Sequence, residues 1–326
     1  MNRKLRLACL FATAALLAYP VSRAAAQAYP AKPIRLVVPF PPASGADILA
    51  RAVGTKLTER WGQQVLVDSR PGASGVIAAE IVAKAPADGY TLMLGTSSSH
   101  AINVSLRQKL PYDPLRDFSP VSLVARVPML VMAHPSLPVK NAKELIAFAR
   151  ARPGQLNFGT AGNGTTAHLA GELFKSMARV DIVHVPYRGS PQALLDAVSG
   201  QVSLAIAPTL TGLPQVNSGR LRALAVTTPK PSAIAPEVPT LAEAGLPGYE
   251  ATLWYGLFAP AGTARENVAR LSGEVVAILA LTEVRESLKQ QGAEPAGNSP
   301  EEFAAFVKSE IAKWAEVVKT SGARAD

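Results

Sequence analysis

Three short runs rich in β-branched and apolar residues, Ile34–Val38, Val65–Val67 and Tyr90–Leu94, are separated by two stretches of helical character. In the first stretch Ile48, Leu49, Ala52, Val53 and Leu57 recur at helical spacing; the second is Val76–Lys84. A β-α-β-α-β order with short links predicts a mixed, mostly parallel sheet flanked by helices. A second series follows: helix Ala142–Arg150, strand Leu156–Phe158, helix Thr166–Met177, strand Ile182–Val185, helix Pro191–Ser199, and strands Val202–Ile206 and Leu221–Val226. The tail beyond about Ala264 reads as helical. Two α/β units predict two lobes. The extended apolar stretches Val121–Ala133 and Leu253–Ala259 are expected to carry the chain across. Lobe one would comprise residues 27–128 plus 258–326, and lobe two residues 129–257.

The first 26 residues have the grammar of a secretory signal. Arg3, Lys4 and Arg6 precede an apolar run from Leu7 to Tyr19, and Ala24-Ala25-Ala26 offers a small-residue cleavage site. Thirteen apolar residues fall short of the ~20 that span a bilayer. Cleavage near Ala26 would remove four basic residues and no acid, taking the net charge from +9 to +5. It would also remove Cys9, the single cysteine. The expected mature chain is exported and has no disulfide framework. Its charges are interspersed, which argues against a nucleic-acid footprint.

The loops between strands and helices carry the polar chemistry. Phe40-Pro41-Pro42-Ala43-Ser44-Gly45-Ala46-Asp47 ends in a Ser44-x-x-Asp47 capping pattern. Small residues there let backbone N–H groups approach a ligand, and the helix dipole favours an anion. A plain helix cap is the competing reading of these eight residues. Gly159-Thr160-Ala161-Gly162-Asn163-Gly164-Thr165-Thr166 is richer in small and polar residues than a turn requires, which favours binding. Ser97-Ser98-Ser99-His100 follows a strand and reads as a ligand-contact loop.

Enzymatic signatures are thin. Gly162-x-Gly164-x-x-Ala167 matches a dinucleotide fingerprint, but Asp181 precedes the next strand instead of ending it. There is no phosphate-binding G-x-x-x-x-G-K-[ST] run and no G-x-S-x-G nucleophile elbow. His100, His134, His168 and His184 are scattered without metal-ligand spacing, and His168 and His184 read as structural. No cofactor, no metal and no catalytic residue is expected.

The wording of the loops resembles the substrate-binding proteins of tripartite tricarboxylate transporters, the Bug family. The resemblance is carried by Ile34–Pro42, Arg70–Gly75, Ala87–Leu92, Leu110–Pro114, Ala161–Thr165, Val183–Gly189, Leu221–Thr227, Val238–Thr240, Gly245–Tyr249 and Ala259–Thr263. These motifs run in register from about Tyr29 to Gly322. The resemblance implies a two-lobed periplasmic-binding-protein fold (Venus flytrap, type II). It implies a periplasmic monomer that closes on a small organic carboxylate and delivers it to a membrane permease of one large and one small subunit. A sensor or scaffold receptor would share every motif, and a secreted α/β enzyme is the more distant alternative.

Carried over residue by residue, the resemblance places Pro42, Ala43, Ser44, Asp47, Ser97 and Ser99 on the lobe-one side of the ligand. Gly162, Asn163, Gly164, Thr165, Thr166, Arg188, Gly189 and Ser190 face them from lobe two. Two departures stand out. Ala43 and Ser44 replace a Gly-Gly pair, which limits positive φ in that loop. Ala207-Pro208 stands where many members carry Asp-Asn, so no carboxylate at 207 would meet a ligand ammonium. A non-amino organic acid is therefore expected.

Overall fold

The structure is a computed structural model and describes residues 29–324. The expected signal segment lies outside the described residues.

From Lys32 onward the chain forms one compact unit built on two sheets. The first half runs β1 (Ile34–Val38), α1 (Gly45–Trp61), β2 (Val65–Ser69), α2 (Val76–Ala83) and β3 (Thr91–Thr96). A wide π-helical turn, Ser98–Ile102, leads into the single turn α3 (Asn103–Leu106) and then β4 (Phe118–Val127). The second half runs β5 (Met129–Ala133), α4 (Ala142–Ala151), β6 (Asn157–Thr160), α5 (Thr166–Ala178), β7 (Val183–Pro186), α6 (Ser190–Val198), β8 (Leu204–Pro208), α7 (Thr209–Asn217) and β9 (Arg222–Val226). The chain then returns through β10 (Leu253–Pro260), α8 (Arg265–Ala280), α9 (Thr282–Gln291), β11 (Glu294–Pro295) and α10 (Pro300–Ser321).

The two sheets share one plan. In the first, β2-β1-β3 are parallel neighbours, and β10 runs antiparallel between β3 and β4, with β11 on the far edge. In the second, β7-β6-β8 are parallel, and β5 runs antiparallel between β8 and β9. Each sheet is mixed and mostly parallel. Each parallel triplet directs its C-terminal strand ends into loops that open helices, the edge where open α/β sheets bind ligands.

The chain leaves the first sheet at Pro128 and returns between Val226 and Leu253. The whole of β10 pairs with β4, from Leu253 opposite Val127 to Pro260 opposite Phe118. A boundary at 257/258 cuts through this strand, whereas backbone pairing gives the first sheet everything from Leu253. The periodicity of Leu253–Ala259 shows an extended apolar segment and nothing of its partners, so its sheet was not readable. Helix α7 also escapes the sequence reading. Gly212 and Pro214 lie inside it, yet burial of its N-terminal half, Thr209–Gly212, holds it in place.

Helix ends are fixed by local chemistry. Ser44 caps α1, Asn141 caps α4, Thr165 caps α5, and Ser299 with Glu302 forms a full capping box on α10. Helix α10 packs against β4 of the first sheet and α5 beside the second. Its buried Glu310 accepts from the indole Nε1 of Trp254 and of Trp314, each at 2.9 Å.

Candidate functional site

The first turns of α1, α5 and α6 converge on one small cavity between the two lobes. Phe40, Ser44, Gly45, Ala46, Ser98, Leu253 and Tyr255 line it from the first sheet's side. Met129, Ala161, Thr165, Thr166, Ala167, Ser190 and Pro208 line it from the second. Its volume is about 30 Å³, room for little more than a water. No lining residue is charged. The first-turn amides of a helix have no intrahelical acceptor, so such ends supply donors and partial positive charge without a cation.

Hydroxyls seal the cleft from both lobes. Ser97 Oγ lies 2.7 Å from Thr166 Oγ1, and the Thr166 amide donates to Ser98 Oγ at 3.2 Å. The Ser74 hydroxyl donates to the Asn163 carbonyl. Gly189 and Gly164 let loops of the two lobes approach closely. A Cβ on Gly189 would lie 2.6 Å from Pro41 Cγ, and one on Gly164 would lie 3.0 Å from Asn103 Oδ1 and 3.3 Å from Ser74 Oγ.

The structure places Ser44, Thr165, Thr166 and Ser190 on the cavity wall and Ser97 at its rim. Thr165 Oγ1 accepts from the His168 amide at 3.3 Å and donates to the Gly162 carbonyl at 2.7 Å, so its hydroxyl shapes the loop. The Gly164 amide donates to His168 Nδ1 at 3.2 Å. Gly162, Asn163 and Arg188 lie farther out, on a larger groove described below.

Several expected residues sit elsewhere. Asp47 is buried and holds the loop: Oδ2 accepts from the Ala43 amide at 3.0 Å, and Arg51 Nε pairs with the same carboxylate. Ala43 keeps the left-handed conformation, φ 62°, despite its Cβ, and its amide is spent on Asp47. Pro42 and Ala43 are exposed, outside the cavity. Ser99 faces its own turn, where its hydroxyl accepts from the Thr96 amide at 3.0 Å and lies 2.9 Å from His100 Nδ1. Ala207 is fully buried among Leu130, Met132 and Leu194 in the core of the second lobe, while its neighbour Pro208 lines the cavity. A carboxylate at 207 would point into that core and away from the cavity, so Ala207 does not select against a ligand ammonium. The absence of any acid on the cavity wall supports the same expectation on different ground.

Two further lining residues, Ser98 and Tyr255, lie outside the expected set. Ser98 stands between Ser97 and Ser99 in the serine tripeptide. Tyr255 offered no local signal. It lies on β10, where its hydroxyl would be 2.7 Å from a Cβ on Gly45, and burial holds its acidity well below that of a free tyrosine. His184 and His168 stack behind the Gly-rich loop with ring centroids 4.4 Å apart. His184 Nε2 lies 2.6 Å from Thr160 Oγ1, and burial, with lesser contributions from His168 and Lys175, lowers its pKa to about 3. Among the described residues no group of three or more His, Cys, Asp or Glu could hold a metal, and no helix is long and apolar enough to cross a membrane.

A family model described as "Tripartite tricarboxylate transporter family receptor" matches residues 49–323. Protein BugT of Bordetella pertussis is 39% identical over 325 residues, covering 99% of each chain. The solved structure of R. palustris Rpa4515 with adipate is similar at 44% identity and a TM-score of 0.89, covering 91% of this chain and 99% of that one. MatC from Rhodopseudomonas palustris with bound malate is similar at 33% identity and a TM-score of 0.84, covering 89% of this chain and 100% of that one. With two like-built sheets closing over helix N-termini, and matches that run nearly end to end, the chain belongs to the tripartite tricarboxylate transporter receptors, a family of periplasmic solute-binding proteins and not of enzymes.

Proposed function

We propose that this chain is an exported periplasmic receptor that closes its two lobes, residues 27–128 plus 253–326 and residues 129–252, over a small organic carboxylate. It then delivers the ligand, as a monomer, to a membrane permease of one large and one small subunit. The observation that carries this reading is the convergence of three helix N-termini and several hydroxyls on a cavity without charged side chains. Such a wall accepts negative charge through backbone donors. It offers nothing to hold an ammonium group, which favours a non-amino acid ligand. The relatives solved with adipate and with malate support a carboxylate.

The 30 Å³ cavity corresponds to a shut cleft, so binding requires an open form that closes on ligand. The test is a thermal-shift screen of the chain from Gln27 against mono-, di- and tricarboxylates, aromatic acids and amino acids, followed by calorimetry. A binder at a hundredfold excess over its Kd stabilises by about 2.7 kcal/mol. A panel in which amino acids outbind their deaminated analogues, or no carboxylate binds, refutes the reading.

A further inference from the structure

Phe40 and Ala161 line both the shut cavity and an open groove of about 790 Å³. The inner cavity of the shut form has room for only one end of an organic acid, and the groove that shares Phe40 and Ala161 with it is the space available to the remainder. Its walls again come from both lobes, and they differ from the inner cavity in charge. Arg107 stands on the lobe-one side and Arg188 on the lobe-two side, and no Asp or Glu lines the groove.

Arg107 is held in place. Its Nε donates to Asn103 Oδ1 at 3.0 Å and its Nη2 reaches the Ala73 carbonyl at 3.4 Å, which leaves further guanidinium donors unspent. Neither arginine forms an ion pair within 4 Å among the described residues. Elsewhere arginines on this surface pair readily, as Arg35 with Asp68 and Arg116 with Asp113 do. Two guanidinium groups lining one acid-free groove suit a planar anion that accepts from both.

We propose that Arg107 and Arg188 form a second anion subsite, which reads a carboxylate at the far end of the ligand whose first carboxylate sits on the helix N-termini. The proposal rests on the carboxylate-receptor reading above and adds to it a requirement for two separated negative charges. Because one arginine comes from each lobe, such a ligand also ties the lobes together at the mouth, which a monoacid does not.

Calorimetry separates the two readings. The probes are the straight-chain diacids from succinate to suberate and the monoacids of equal carbon number, with 6-aminohexanoate as the cationic counterpart of adipate. The expected result is at least one diacid binding tenfold or more tighter than its monoacid, with 6-aminohexanoate the weakest of its trio. In the Arg107→Gln/Arg188→Gln double variant that diacid-to-monoacid ratio falls towards one, and in Arg107→Lys/Arg188→Lys part of it returns. No diacid preference in the wild type, or a preference that survives the glutamine variant, overturns the second subsite while leaving the receptor reading intact. A glutamine variant that retains its melting temperature but binds neither acid class overturns the separation into two subsites. Failure of every acid to bind the wild type refutes the receptor reading, and the subsite with it.

Discussion

The hydroxyl of Ser97, at the end of the first sheet's third strand, lies 2.7 Å from the hydroxyl of Thr166, which opens α5 on the other lobe. Both side chains are buried. This pair, with the Thr166 amide donating to Ser98, joins the two lobes beside the inner cavity. On the proposed closure the pair would form only in the shut cleft, so its energy would bias the balance towards the closed form.

Thr166→Val keeps the side chain's shape and leaves the Ser97 hydroxyl without that partner. A lost hydrogen bond of this kind costs about 1 kcal/mol, here charged to the closed form alone. Affinity for a confirmed ligand should fall roughly three- to tenfold. Small-angle scattering should show a larger radius of gyration in the unliganded variant than in the wild type. Unchanged scattering and affinity would show that closure does not depend on this pair.

Gly164→Val probes the same interface by sterics. A Cβ there meets Asn103 and Ser74 of the facing lobe, and φ is +76°. The variant should fold with a loss of about 1–2 kcal/mol from the strained backbone and should bind ligand far more weakly because the lobes cannot meet. Wild-type affinity in a folded variant would remove the Gly-rich loop from the closing surface.

Ala43 occupies a left-handed conformation at φ 62° that a glycine adopts without strain. Ala43→Gly should therefore stabilise the chain by about 0.5–1 kcal/mol in urea unfolding, against the usual direction of an alanine-to-glycine change. A destabilised variant would mean that the entropy glycine adds to the unfolded chain outweighs the strain relieved at this position.

Two helical glycines should respond in opposite ways. A Cβ on Gly171 in α5 would lie 2.1 Å from Phe158 Cε2, so Gly171→Ala should cost about 2 kcal/mol by overpacking. Gly273 in α8 has no atom within 4 Å of that position, so Gly273→Ala should add up to about 1 kcal/mol through helix propensity. Equilibrium unfolding of the two variants side by side checks both signs.

Acid should weaken the fold through two histidines. His100 is completely buried, stacked on Phe258 at 3.8 Å between ring centroids, and burial lowers its pKa from 6.5 to about 3. His184 is lowered to about 3 as well, mainly by burial. In both, the folded pKa lies below the unfolded one, so between pH 6.5 and 3 the unfolded chain binds protons that the folded chain refuses. Their contribution is full above pH 6.5 and is lost as pH falls towards 3, at up to about 1.4 kcal/mol per pH unit for each. Denaturant midpoints at pH 7, 5.5 and 4 should decline accordingly, and His100→Phe should flatten the decline.

What the sequence determined by itself was local. Ser44 announces a helix start because an N-cap bond spans only three residues, and the glycines of the 159–166 run announce a loop because positive φ is a single-residue property. Strand–helix alternation fixed the class of fold for the same reason. Tertiary structure alone decided which of three consecutive serines faces the cleft, because the turn after β3 is π-helical and its phase follows from packing, not from the ordinary helical period. It alone turned Ala207 into the core and Pro208 into the cavity, through the register of β8 against β5. It brought Tyr255 beside Gly45, and set Arg107 and Arg188 on the wall of one groove, from positions far apart in the chain. Burial and register are properties of the whole set of packed partners, and no window of sequence contains them.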